Sequence, residues 1–263
     1  MNSSVPPKSS AASFATVNSV FIGRSLRLSL RNVEALLMAV ILPVMLMLLF
    51  TYVFGGALDP SGNYVDYVVP GIILLCAGFG SSSTAVDVSQ DMTNGIIDRF
   101  RTMPIHSMSV VTGHVAASLA RNLLATAIVI GVACLVGFRP NATLAEWLAA
   151  LGVIVLFILA FTWLFAAIGL VASSPSAASG YGFALLFLPY LSSAFVSTET
   201  MPNWLQGIAN HQPITPVIET IRGLLTGTPI GGHAWLAIGW CVFLILGSLL
   251  WCRFSFRRRS GRR

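Results

Sequence analysis

Charge is what this sequence has least of. Asp, Glu, Lys and Arg make up 9% of its 263 residues, whereas 56% are hydrophobic and the mean hydropathy is +0.82. A soluble domain carries about 25% charged residues. Too few remain here to solvate a globular surface, which leaves an all-α polytopic membrane protein. Lysine is rarer still, and Lys8 is the only one. A P-loop needs a lysine behind a glycine-rich turn to reach the terminal phosphates. Lys8 sits among Ser and Pro with no glycine before it. This sequence therefore has no P-loop, and any work drawn from nucleotide hydrolysis has to enter from another chain.

Reactive clusters are also missing. Cys76, Cys134, Cys241 and Cys252 lie in or beside apolar runs without CxxC spacing, so they read as small packing residues rather than disulfides or metal ligands. His106, His114, His211 and His233 form no HExxH-like pattern and read as solvated or interfacial. No serine occupies a G-x-S-x-G elbow. Asp59, Asp66, Glu146, Glu199 and Glu219 fall at one end of the apolar runs and Asp87, Asp91 and Asp98 at the other. No run has a central carboxylate, which argues against a proton- or sodium-coupled carrier.

The apolar runs predict six spans, at residues 35–54, 67–88, 116–138, 146–172, 177–198 and 233–251. Residues 1–12 are Ser/Pro-rich and predict a disordered cytoplasmic tail without a signal-peptide h-region. Residues 13–34 place Arg24, Arg27 and Arg31 on one face and Ile22, Leu26 and Val33 on another. This predicts an amphipathic interfacial helix capped by Ser13; a plain basic flank is the alternative. Pro43 is expected to kink or loosen the first span. The second ends in small and polar residues, Gly78, Gly80, Ser81, Ser82, Ser83 and Thr84, suited to close helix approach. Arg121 has two readings, an interfacial snorkel or a partner for Asp87 or Asp91. The fifth span is interrupted by Gly180, Gly182 and Pro189 and carries Tyr190, Ser192 and Ser193. Residues 201–227 predict two short helices, re-entrant or interfacial. Pro202 opens one, Thr215 caps the other with Glu219 in its first turn, and Gly227 ends it. Residues 253–263 form a basic tail.

Thirteen of the fifteen basic residues fall on one side of this topology, leaving Arg139 and Arg222 on the other. The bias makes both termini cytoplasmic in a multi-pass cell-membrane protein. It also explains the basic tail without a nucleic-acid partner. Between the second and third spans, residues 87–114 concentrate Asp87, Asp91, Asp98, Arg99 and Arg101 with Gly95 and Pro104. This cytoplasmic segment is built to be gripped by another protein.

The pattern Asp91, Gly95, Arg99, Arg101, Pro104 resembles the signature loop of type-2 ABC exporter permeases, with Gly113 before the third span. His211-Gln212-Pro213-Ile214 through Ile221-Arg222 to Gly227 is similar to the closing block of the same family, most of all its daunorubicin-resistance branch. There are departures. Asn94 and Ile96 replace a basic residue and Thr around Gly95, Asp91 stands where Glu is common, and His211 sits near the usual Asn.

The resemblance implies a single permease domain over residues 13–252 that binds no cofactor. ATP and Mg would sit on a separate ABC ATPase subunit, and a second permease would complete a homodimer or heterodimer in the lipid bilayer. Asp91, Gly95, Asp98, Arg99, Phe100, Arg101 and Pro104 would form the coupling helix. Gly95 permits a turn, Asp98, Arg99 and Arg101 offer directional ion pairs, and Pro104 stops the helix near Met103. The cargo would be amphipathic: an antibiotic, another polyketide or a lipid. Ser81, Ser82, Ser83, Thr84, Tyr190, Ser192 and Ser193 suit a translocation path, and suit helix packing equally. An integral membrane enzyme and an ion-coupled carrier are the competing functions.

Overall fold

The computed structural model describes residues 33–59, 62–94 and 108–260. Among them every regular element is helical. Helix α1 (Val33–Leu48) continues through a π-helical segment, Leu49–Phe54, into one more turn, Gly55–Leu58. The long helices α2 (Tyr64–Thr93), α3 (Met108–Val136) and α4 (Leu144–Val171) follow. Short helices α5 (Pro175–Leu185), α6 (Asn203–His211) and α7 (Ile214–Thr226) precede the long α8 (His233–Ser260). The amphipathic helix expected at 13–34 and most of the coupling segment lie outside the described residues.

Among the described residues, five stretches are long and apolar enough to cross a membrane: Ala39–Leu58, Tyr64–Thr93, Val110–Val136, Leu144–Val171 and His233–Ser255. The loosening expected from Pro43 falls further on, at the π-helical segment. Residues 177–198, the expected fifth span, are not one helix. Helix α5 ends after 11 residues, about 16 Å at 1.5 Å per residue, against an apolar layer of about 30 Å. A 3₁₀ turn at Leu188–Leu191 follows. Pro189 has no N–H for a helical ladder. The Ser192 hydroxyl donates to the Pro189 carbonyl and accepts from the Ala194 N–H at 3.2 Å, so side-chain bonds replace the ladder.

The interrupted stretch nevertheless runs antiparallel along α2. Gly182 faces Ser82, Leu186 lies at Gly78, Ala194 packs on Gly71, and the Tyr64 hydroxyl donates to the Phe195 carbonyl at 2.7 Å. Helix α2 is the hub, packed against α1, α3, α4, α5 and α7, and its centre from Val68 to Ala77 is fully buried. Large apolar side chains on α1, α4 and α8, such as Met45, Leu148, Trp235 and Phe243, point outward, as lipid-facing positions do.

Local chemistry sets the helix ends. Thr143 and Glu146 form a reciprocal capping box on α4, satisfying two otherwise orphaned donors. Ser174 caps α5 with Pro175 at its first position. The two short helices expected after 201 are present. Helix α7 begins one residue before the expected cap, because Thr215 is buried and its hydroxyl donates back to the Ala209 carbonyl of α6. Glu219 therefore lies in the second turn. Gly227, at φ 77°, ends the helix as expected.

Two glycines admit a neighbouring backbone at close range. A β-carbon at Gly71 would meet the Ala194 backbone at 2.7–2.8 Å, and one at Gly169 would meet the Ala85 carbonyl. Gly71→Ala and Gly169→Ala should each destabilise the detergent-purified protein by about 1–3 kcal/mol through overpacking. Gly152→Ala, where nothing lies within 4 Å, should be neutral or stabilise by up to about 1 kcal/mol. Thermal unfolding of the three variants checks the contrast.

Candidate functional site

Helices α2 and α3 form a hairpin whose Thr93 and Met108 ends carry the segment expected to meet a partner. Polar side chains tie it at three levels. Asn122 Nδ2 donates to Ser81 Oγ at 3.1 Å and to Ser118 Oγ at 3.3 Å, and Thr162 of α4 joins Ser81 at 3.1 Å. Arg121 donates to Ser83 Oγ. His114 Nε2 meets Asp91 Oδ2 at 2.8 Å. Asp87 lies within electrostatic reach of Arg121, His114 and Asp91. Arg121 is 5% exposed and turns to Ser83, within electrostatic reach of Asp87. His114, expected to be solvated or interfacial, is 20% exposed, and the antiparallel register brings it onto Asp91.

The expected site residues fall in three places. Gly95, Asp98, Arg99, Phe100, Arg101 and Pro104 lie outside the described residues, whereas Asp91 is in the last turn of α2. Ser81 and Thr84 are buried among helices. Ser82 and Ser83 are half-buried and line a groove of about 250 Å³ with Val86, Ser179, Phe183 and Leu186. Ser192 and Ser193 are buried, whereas Tyr190 is exposed. These three belong to the other end of the interrupted stretch, where a second groove of about 250 Å³ opens between Tyr64, Tyr67, Phe195 and Ser197. The two polar sets thus do not meet. Aromatic rings lie between them: Phe183–Phe187 at 5.1 Å, Phe187–Tyr190 at 6.1 Å and Tyr190–Phe195 at 5.4 Å, with Phe50 of the π-helical segment stacked on Phe195 at 4.2 Å. Sequence reasoning missed this strip, although Phe183 and Phe187 stand at helical i, i+4 spacing.

Arg222 was the other omission. It is 5% exposed. Its guanidinium donates to the Tyr67 carbonyl at 3.1 Å, to the Ser193 carbonyl at 2.8 Å and to Glu219, and lies 3.9 Å from the centre of the Tyr67 ring. The Tyr67 hydroxyl donates to the same Ser193 carbonyl at 3.1 Å. One arginine thus joins α7, α2 and the interrupted stretch. Its place in the closing block was the available signal.

The sequence profile of the ABC-2 type transporter family matches residues 17–226. The daunorubicin resistance ABC transporter permease protein DrrB1 of Streptomyces coeruleorubidus is 32% identical over 191 residues, covering 72% of this chain and 68% of the relative. The probable doxorubicin resistance ABC transporter permease protein DrrC of Mycobacterium tuberculosis is 27% identical over 213 residues, with 78% and 76% covered. The inner membrane transport permease YadH of Escherichia coli is 25% identical over 196 residues, with 68% and 72% covered.

Arg222→Ala should cost about 3 kcal/mol, since it strands a half-buried Glu219 and takes a charged donor from the Tyr67 and Ser193 carbonyls. Arg222→Lys should recover no more than about half of that loss, because a single ammonium lacks the fork that bridges both carbonyls. Thermal melts and the monodisperse fraction in detergent report the difference.

Proposed function

The chain belongs to the ABC-2 type transporter family, and from that premise we propose that it is the permease subunit of an ATP-driven exporter of amphipathic cargo. Relatives named for resistance to daunorubicin and doxorubicin support a drug-like cargo. The chain itself catalyses no reaction in this reading. A separate ABC ATPase subunit holds ATP and Mg and hydrolyses the nucleotide, and a second permease completes the membrane part.

One observation carries the assignment of the coupling segment. The α2–α3 hairpin and the basic end of α8 come out together: Cys252 of α8 packs in one cluster with Val88, Val111 and Val115. The end with most of the basic residues is the cytoplasmic one by the positive-inside rule. Residues 91–104 then face the compartment that holds ATP, and both termini lie there too. Six crossings follow if the interrupted stretch from Pro175 to Phe195 is the fifth, an arrangement tolerated where irregular backbone is buried in protein or lines a cavity. Cargo would move along this stretch, between the groove at Ser82 and Ser83 and the groove beyond Tyr190. Ser81, Thr84, Ser192 and Ser193 hold the walls of that path from behind.

The test is reconstitution with the cognate ATPase subunit in proteoliposomes. Arg99→Glu and Gly95→Trp should each lower transport per ATP hydrolysed by about tenfold or more, the scale of removing one charge-assisted hydrogen bond, while the permease stays folded. Normal ATP-driven transport by both variants would sink the coupling assignment.

A further inference from the structure

The three ties of the α2–α3 hairpin are not equivalent. The two at Ser81 and Ser83 join helix interiors, where the backbone ladder already holds each helix. The third, Asp91 to His114, is at the base of the segment. Asp91 is in the last turn of α2 and His114 in the second turn of α3. A last turn has unsatisfied carbonyls and frays first. A force applied to residues 95–107 acts on these two turns before any other part of the bundle. Behind the pair, Val88, Val111, Val115 and Leu170 form an apolar cluster that resists compression but does not stop the helices from sliding. The carboxylate–imidazole contact at 2.8 Å is directional, and its side chains are only 26% and 20% exposed, so water screens it incompletely. Asp87, one turn further in, continues the polar ladder toward Arg121 and Ser83.

The signature would offer the acid at position 91 to the ATPase. Here its carboxylate faces α3. We propose that Asp91 and His114 are positioning residues, a clamp that fixes the spacing of the two stalks beneath the coupling segment. With the clamp closed, a displacement of residues 95–107 moves α2 and α3 as one body. Without it the displacement prises the stalks apart and is dissipated before it reaches the Ser81–Asn122 level. The inference rests on the reading of residues 95–107 as the ATPase contact.

The complex of the permease with its cognate ATPase, in proteoliposomes, tests this. Asp91→Asn and His114→Gln should each lower transport per ATP about tenfold, with the ATPase still co-purifying. The exchanged pair, Asp91→His with His114→Asp, should return the ratio to within about twofold of the parent, the signature of a contact between the two side chains rather than of either alone. An exchanged pair as defective as Asp91→Asn overturns the clamp, since it means that the carboxylate is needed at position 91 itself. Normal coupling in both single variants overturns it as well. If the single variants do not fold, the exchanged pair decides alone: coupled transport supports the clamp, and failure to fold or couple overturns it. Arg99→Glu, measured alongside, separates the two readings. Normal transport in Arg99→Glu removes the coupling segment and the clamp with it. A loss in Arg99→Glu beside normal single variants removes the clamp alone.

Discussion

Backbone that leaves the helix inside an apolar layer must find its hydrogen bonds within the protein, and much of this structure answers that demand. The demand comes from the stretch after α5, where Pro189 prevents a continuous ladder. The answer comes from three side chains on two other helices: Tyr64 takes the Phe195 carbonyl, and Tyr67 and Arg222 share that of Ser193. The burial of α7 follows from the same need. A short helix with an arginine and a glutamate would ordinarily stay at an interface. Here it is pressed between α2, α4 and α8, because Glu219 and the Tyr67 ring compensate the guanidinium it delivers. The charge is tolerated because its donors all have acceptors or a ring face.

Helix α2 can serve every neighbour because it is built from small residues. Gly71 admits the interrupted stretch, Gly80 admits the Asn122 side chain, and Ala85 admits α4 at Gly169. Association of helices in lipid depends on such close packing rather than on hydrophobicity. The two ends of α2 differ in kind. At the Tyr64 end its partners are carbonyls of irregular backbone. At the Thr93 end its partners are titratable side chains of a regular hairpin.

The all-helical class, the continuous spans and several helix ends were legible in the sequence, because hydropathy and capping act over a few residues. Gly227 needs only its own φ, whereas the capping box of Thr143 and Glu146 on α4, equally local, was not read. The break in the fifth span was half legible. Gly180, Gly182 and Pro189 signalled interruption, but not that α5 would stop at Leu185. The cap of α7 was misplaced because Thr215 found a tertiary acceptor, the Ala209 carbonyl, in preference to its own helix. The pairing of Asp91 with His114 and the reach of Arg222 to Tyr67 depend on antiparallel register and on contacts across most of the chain, which no local pattern encodes.

Separation along the chain also imposes an order of assembly. Ser81 and Asn122 are 41 positions apart, whereas Tyr64 and Phe195 are 131 apart and Tyr67 and Arg222 are 155 apart. At about 5–20 residues per second, a growing chain carries Tyr67 for roughly 8–30 s before the guanidinium it needs has been synthesised. The α2–α3 hairpin is therefore an early product of translation and the Tyr64 end a later one. An arrest between α3 and α5 leaves a protein whose hairpin is finished and whose opposite end holds the Tyr64 and Tyr67 hydroxyls before their carbonyl partners exist. That asymmetry means that an incomplete chain differs from a complete one first at the Tyr64 end of α2.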